Sequence, residues 1–267
     1  MERINENNQL TVRGQIIKEF EFAYEVAGEK FFQTTISVPR TSGSVDELQI
    51  VVSERLLDVN DKELVGQIVN IYGQFRSFNK TGEDGKRKLI LTVFVKEIEF
   101  KDEYDYSNKA NYISLIGTVC NKPSCRETPL GRTVSDLTLA VNRGYGKSDY
   151  IPCVVWGRNA KYVSEFEVGT NISITGRVQS RNYTKKLSEY DYEERTAYEV
   201  SVKTVEVLWI MKMLGGIGFI LFLLGAGGMD DLTNRPIATA YILIGLLLVL
   251  IDCFITIRKA IANNRPK

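Results

Sequence analysis

A single offset of 103 residues maps the first part of this chain onto the part that follows. Gly14 in TVRGQII falls on Gly117 in SLIGTVC, Arg40 on Arg143, and Val51 and Val52 on Val154 and Val155. The same shift carries Val65-Gly66 onto Val168-Gly169, Gly73 onto Gly176 and Asn79 onto Asn182. A constant offset over such a distance describes two copies of one domain with few insertions before the last hairpin. After Asn79 the register moves, and VKEIEF at 95–100 aligns with VKTVEV at 202–207 at an offset of 107. The second copy is therefore expected to have a last hairpin loop longer by four residues. The 267 residues suffice for two domains of about 100 residues with a remainder. The boundaries read as a first domain over 1–102, a polar linker over 103–110, a second domain over 111–208 and a distinct segment over 209–267.

Within each copy the local signals are strands. YISLIGTV and LTLAVNR alternate apolar with polar or small residues, and YIPCVVW is rich in β-branched residues. Ala160, Val163 and Phe166 fall at helical spacing, so a short helix is predicted to end before Gly169. The resulting order, β-β-β-α-β-β, is that of the OB-fold, a five-stranded Greek-key barrel with one short helix whose strand 2 and 3 face binds oligonucleotides or oligosaccharides. The fold class expected from the first 208 residues is thus all-β, as tandem OB-folds.

Composition removes several function classes. The chain has no histidine, which excludes the commonest general base, the usual Ser and Cys triads and every His-containing zinc site. Cys120, Cys125, Cys153 and Cys253 form no CxxC pair and read as reduced packing residues. No carboxylate cluster stands out at metal-binding spacing. A non-enzymatic protein without metal or cofactor is the expectation. The net charge of +1 hides an uneven distribution, with −4 over residues 1–104, +2 over 105–208 and +3 over 209–267.

In the second copy aromatic rings and guanidinium groups interleave on predicted strands: Tyr150, Trp156 and Tyr183 among Arg143, Arg177 and Arg181. Unstacked bases offer their faces to such rings, at about 1–3 kcal/mol per stack, while Arg neutralises phosphates. For Trp156, strand alternation is equally compatible with a ring turned inward as core.

These segments carry a resemblance. LTLAVNR, the VVWG before the helix, GRVQSRNY and the closing YEVSVKTVEVL resemble the bacterial single-stranded DNA-binding protein family over residues 111–208. The resemblance implies binding and protection of single strands in replication, recombination or repair, with Tyr150, Trp156 and Tyr183 stacking and Arg143, Arg177 and Arg181 contacting phosphates and base planes. The first copy departs from that set: Glu47 stands for Tyr150, Ser53 for Trp156, Gln74 for Arg177, Phe78 for Arg181 and Lys80 for Tyr183. It reads as a degenerate copy whose work is pairing with the second domain or with another subunit, as in a homo-oligomer built through the OB domains. The family's acidic tail, which recruits partners, has no counterpart, so that recruiting role is not expected.

The last 59 residues belong to another physical class. Two apolar runs, about 209–229 and 236–257, are each long enough for a hydrocarbon core of about 30 Å, and DDLTNR joins them. The expectation is an α-helical transmembrane hairpin in the lipid bilayer. The basic tail with Arg258, Lys259, Arg265 and Lys267 places that tail, and with it the OB domains, on the cytoplasmic side of the membrane. A competing function uses the same architecture: a membrane protein whose OB domains are protein-interaction modules without nucleic-acid binding.

Overall fold

A computed structural model describes residues 7–59, 62–81, 85, 87–102, 110–144, 146–186, 191–208, 220–221, 223–224 and 235–263. They divide into two compact units, Met1–Glu206 and Val207–Lys267. The first unit contains both repeats. In the first repeat the strands are β1 (Asn8–Ile16), β2 (Glu21–Val26), β3 (Glu29–Pro39), β4 (Val45–Ser53), β5 (Ile68–Thr81) and β6 (Arg87–Lys101). In the second they are β7 (Asn111–Val119), β8 (Ser124–Glu127), β9 (Thr133–Asn142), β10 (Ser148–Trp156), β11 (Asn171–Lys186) and β12 (Tyr192–Val207). Helix α1 (Arg158–Ser164) precedes β11. Alternation drives these assignments: along β1 every second residue is buried, and Leu10, Val12 and Ile16 enter the core.

Three details differ from the pattern expected of the sequence. Each repeat has a sixth, short strand, β2 or β8, that folds back on the next strand as a hairpin. SCRE is four residues long and exposed throughout, so it has no apolar periodicity to announce it. Among the described residues the helix forms in the second repeat, where Ala160 and Val163 are fully buried, and the first repeat has a 3₁₀ turn over Lys62–Leu64. The four extra residues of the last hairpin lengthen its arms, not its loop. Five residues separate the strands in both repeats, while β11 outruns β5 by two residues and β12 begins two earlier than its counterpart.

The repeats join edge to edge. Strand β1 pairs antiparallel with β7, giving one continuous twelve-stranded sheet. In that pairing Leu10 lies opposite Ile113, its own repeat equivalent, and Asn8↔Leu115 mirrors Val12↔Asn111. The pairing therefore has a local two-fold axis through Leu10 and Ile113, and both side chains are buried there. Two asparagines brace it symmetrically. Asn8 donates to the Phe75 carbonyl and accepts from the Phe75 N–H (2.7 and 3.0 Å), and Asn111 does the same with Val178 (2.8 and 3.0 Å). The Gly66 and Gly169 turns, with φ of 94° and 98°, donate to Ile16 and Val119 carbonyls in the same symmetric way.

The second unit contains helix α2 (Arg235–Asn263). The predicted transmembrane hairpin is not found there: among the described residues no helix is long and apolar enough to cross a membrane. The first apolar run, about 209–229, lies outside the described residues apart from helical residues 220–221 and 223–224. In the second run, the charge-free stretch from Pro236 to Ile251 ends at Asp252. At 1.5 Å per residue it spans roughly 24 Å, short of the ~30 Å hydrocarbon core.

Candidate nucleic-acid interface

Trp156 settles which way β10 faces. Along this strand Asp149, Ile151, Cys153 and Val155 are buried, whereas Tyr150 and Trp156 are exposed, at 47% and 41%. The tryptophan ring stands on the outer face of the barrel, not in the core. On the same face Trp156 lies opposite Val134 of β9, and Val134 lies opposite Arg126 of β8. Tyr150 is six residues away along β10, about 20 Å at strand rise, so the two rings can engage separate bases of one extended strand.

Arg126 is a basic residue on this face that sequence pattern did not single out. Its guanidinium binds Asp136 at 2.8 Å, and both side chains are exposed. It comes to Trp156 only through pairing of β8, the strand that pattern could not detect.

Tyr183 lies on the distal, exposed half of β11 at 38% exposure. The guanidinium of Arg181 is 5.8 Å from its ring centroid and 3.8 Å from Glu199. Lys185, Lys186 and Arg195 share the arm, with Lys186 5.9 Å from the Tyr192 ring. Arg195 is paired with Glu193 at 2.6 Å. The longer arms of the second repeat thus carry its rings and cations away from the barrel wall.

Arg143 and Arg177 have a different setting, at the seam between repeats. Asp46 and its repeat equivalent Asp149 are both buried. Asp46 accepts from the Ser180 N–H at 2.8 Å, from Arg40 and from Arg177 at 3.2 Å. Asp149 accepts from the Ser77 N–H at 2.7 Å and pairs with Arg143 at 3.1 Å. The serine hydroxyls complete the exchange, since Ser180 Oγ accepts from Glu47 N–H and Ser77 Oγ from Tyr150 N–H. Each repeat therefore clamps the other through one buried carboxylate. Burial, then the nearby Arg40, lowers the Arg177 pKa, while Asp46 counters them. Burial raises the Asp149 pKa against the pull of the Ser77 N–H and of Arg143.

Of the six residues expected to bind, the structure therefore puts Tyr150 and Trp156 on one open face and Arg181 and Tyr183 on the arm. It puts Arg143 and Arg177 on the carboxylates of the seam. Of the four cysteines expected to be reduced packing residues, Cys153 is buried, which pushes its pKa up, Cys120 is half-buried and Cys125 is exposed, all three unbridged, and the side chain of Cys253 lies outside the described residues. Among the described residues no group of His, Cys, Asp or Glu is arranged to hold a metal.

Residues 110–208 match the Single-strand binding protein family. The chain is 34% identical over 112 residues to single-stranded DNA-binding protein 1 of Lactococcus lactis, a stretch covering 39% of this chain and 72% of that protein. The chain belongs to the single-strand binding protein family. Single-stranded DNA-binding protein 2 of Listeria monocytogenes is 41% identical over 80 residues, which are 27% of this chain and half of that relative. Single-stranded DNA-binding protein A of Bacillus subtilis is 34% identical over 105 residues, or 37% of this chain and 59% of that one. The chain thus spans between about half and three-quarters of these family members. Among solved structures, the wild-type single-stranded DNA binding protein from Thermus aquaticus matches with a TM-score of 0.57 at 20% identity, covering 75% of this chain and 92% of that one. A deletion mutant of the same protein gives 0.54. Those two likenesses extend the family fold over both repeats.

Proposed function

We propose that the chain binds single-stranded DNA without marked sequence preference and without catalysis, protecting it wherever replication, recombination or repair exposes it. The observation that carries this reading is the outward ring of Trp156, on an open face shared with Tyr150 and inside the segment that matches the family. Bases stack on Tyr150, Trp156 and Tyr183, and Arg181 neutralises phosphate on the arm. Arg143 and Arg177 offer the strand the N–H groups that Asp149 and Asp46 leave unused, Arg143 beside Tyr150 and Arg177 at the other half of the seam. The β1–β7 joint already pairs two barrels within one chain, so association of two chains brings four barrels together. The test is fluorescence anisotropy of labelled oligo-dT titrated with the full chain at several salt concentrations. Sub-micromolar binding at low salt is expected, weakening linearly in log salt. Trp156→Ala should weaken it by about 10- to 100-fold, the loss of one base stack. Absence of binding at low salt overturns the reading in favour of OB domains that recognise protein.

A second element of the proposal is attachment to the cytoplasmic face of a membrane through the C-terminal segment. What favours it is the surface of α2, where Ile237, Tyr241, Leu243, Ile244, Leu247 and Leu250 are all exposed. Such a helix, apolar all round, is unfavourable in water and is satisfied by lipid or by a partner helix. The basic tail, with Arg258, Lys259, Arg265 and Lys267, is attracted to the anionic lipid of the cytoplasmic leaflet. Fractionation of cells making the full chain should recover it with the membranes. Recovery in the soluble fraction removes the membrane from the proposal and leaves the DNA-binding part intact.

A further inference from the structure

The outer face of the first repeat is not bare. On the row where the second repeat has Trp156 opposite Val134, the first has Ser53 opposite Phe31. The aromatic residue has moved to the facing strand. Tyr24 of β2 lies opposite Phe31 in the position that Arg126 occupies in the second repeat. Its ring stacks on Phe31 with centroids 5.0 Å apart and planes 25° from parallel. One row further along, Phe94 of β6 follows at 5.8 Å from Phe31. Three rings therefore run across β2, β3 and β6, on the same outer face that carries Trp156 in the other copy.

A cation completes the row. The guanidinium carbon of Arg76 sits 3.6 Å over the Phe94 ring centroid, and its N–H groups are held by the uncharged Gln74 Oε1 at 2.8 and 3.1 Å. Arg143 of the second repeat comes close enough that it lowers the pKa of Arg76, second only to burial, and acts with Arg76 to lower that of Tyr24 against the larger effect of burial. Arg143 also donates to the carbonyl of Ser77, the residue after Arg76, at 3.5 Å, with Asp149 as the nearby counter-charge, and Arg143 Nε is buried without a hydrogen bond among the described residues. Such a pair of arginines favours an added anion, and a guanidinium plane fixed over a ring is itself a surface for a base. The ordering of Arg76 by Gln74 and Phe94 means little entropy is lost when a ligand arrives.

We propose that Tyr24, Phe31, Phe94 and Arg76 form a second single-strand site on the first repeat, taking unstacked bases on the rings and guanidinium plane and a backbone phosphate between Arg76 and Arg143. This rests on the single-strand binding proposed above for the second repeat and extends it across the seam, so that one strand passes from Trp156 and Tyr150 onto the first repeat. Glu19 and Glu21 border the face beside Gln33 and Thr35. They reduce its pull on phosphate, so stacking carries most of the contact and the site is the weaker of the two.

The test uses the full chain and oligo-dT of two lengths, one short enough for a single barrel and one of about 35 nucleotides. Tyr24→Leu combined with Arg76→Gln should weaken binding of the long oligonucleotide by about tenfold or more and reduce the log-salt slope by about 1. Binding of the short one should stay within twofold of wild type. Arg76→Lys keeps the charge and loses the planar stack, so the slope should persist while affinity falls. An assay on the unaltered protein removes any dependence on how the variants fold. With 5-iodouracil in the long oligonucleotide, photocrosslinks are expected at Tyr24, Phe31 or Phe94 as well as in the second repeat. Crosslinks confined to the second repeat, with the double variant binding like wild type and Trp156→Ala still impaired, overturn this site and leave the proposed function standing. No binding by any form overturns both.

Discussion

Asp46→Ala is expected to lower the stability of the two-barrel unit by about 3–5 kcal/mol, the range for removing one partner from a buried charged network. The carboxylate is fully buried and accepts from Arg40, from Arg177 and from the Ser180 N–H. Its loss leaves two guanidinium groups facing one another at the seam and a backbone donor without its acceptor. The repeat-equivalent change, Asp149→Ala, removes an acceptor bound by one arginine and the Ser77 N–H, and about 2–3 kcal/mol is expected. Urea unfolding followed by circular dichroism measures both. A loss below about 1 kcal/mol for Asp46→Ala would show that the clamp adds little to the joint.

Gly176→Ala should be nearly as damaging, for a steric reason. A Cβ at this position would lie 2.2 Å from the Ser201 carbonyl oxygen, 3.0 Å from its carbon and 3.1 Å from the Val202 Cα. All three are backbone atoms, so relief requires β11 and β12 to separate. The expected cost is about 3 kcal/mol, at the top of the usual range for overpacking, or a melting temperature lower by roughly 6–12 °C for a unit of this size. Gly73→Ala meets the same obstacle, with the Phe94 carbonyl oxygen at 2.2 Å. Gly144→Ala is the control, because its Cβ would enter open space, and it should melt within about 1 °C of wild type. Equal melting of Gly176→Ala and Gly144→Ala would refute the close approach.

The glycines also show why so much of the fold was legible. Gly14, Gly73, Gly117 and Gly176, the residues that define the offset of 103, sit where strands cross closely, and Gly66 and Gly169 sit in left-handed turns. Backbone geometry of this kind admits one residue type, so it is written in the chain at fixed positions. The alternation of β7, β9 and β10 and the burial of Ala160 and Val163 are likewise local consequences of side-chain polarity. For the same reason the aromatic and basic content of the second repeat was visible as a candidate site.

The sequence by itself determined the repeat, the strand-rich architecture and the helix before β11, and it supplied the residues proposed for a single-strand site. Only the tertiary structure decided how they are used. Pairing of β1 with β7 turned two copies into one sheet with a local two-fold axis, and that pairing brought Asp46 to Ser180 and Asp149 to Ser77, partners 134 and 72 residues apart. Arginines that look alike in sequence were thereby separated, Arg143 and Arg177 onto buried carboxylates and Arg181 onto the exposed arm. Cross-strand register also placed Phe31 opposite Ser53, where an offset comparison saw only a lost tryptophan. The physical reason is common to all of these: polarity and backbone constraints act residue by residue, but charge pairing and ring stacking depend on which strands become neighbours.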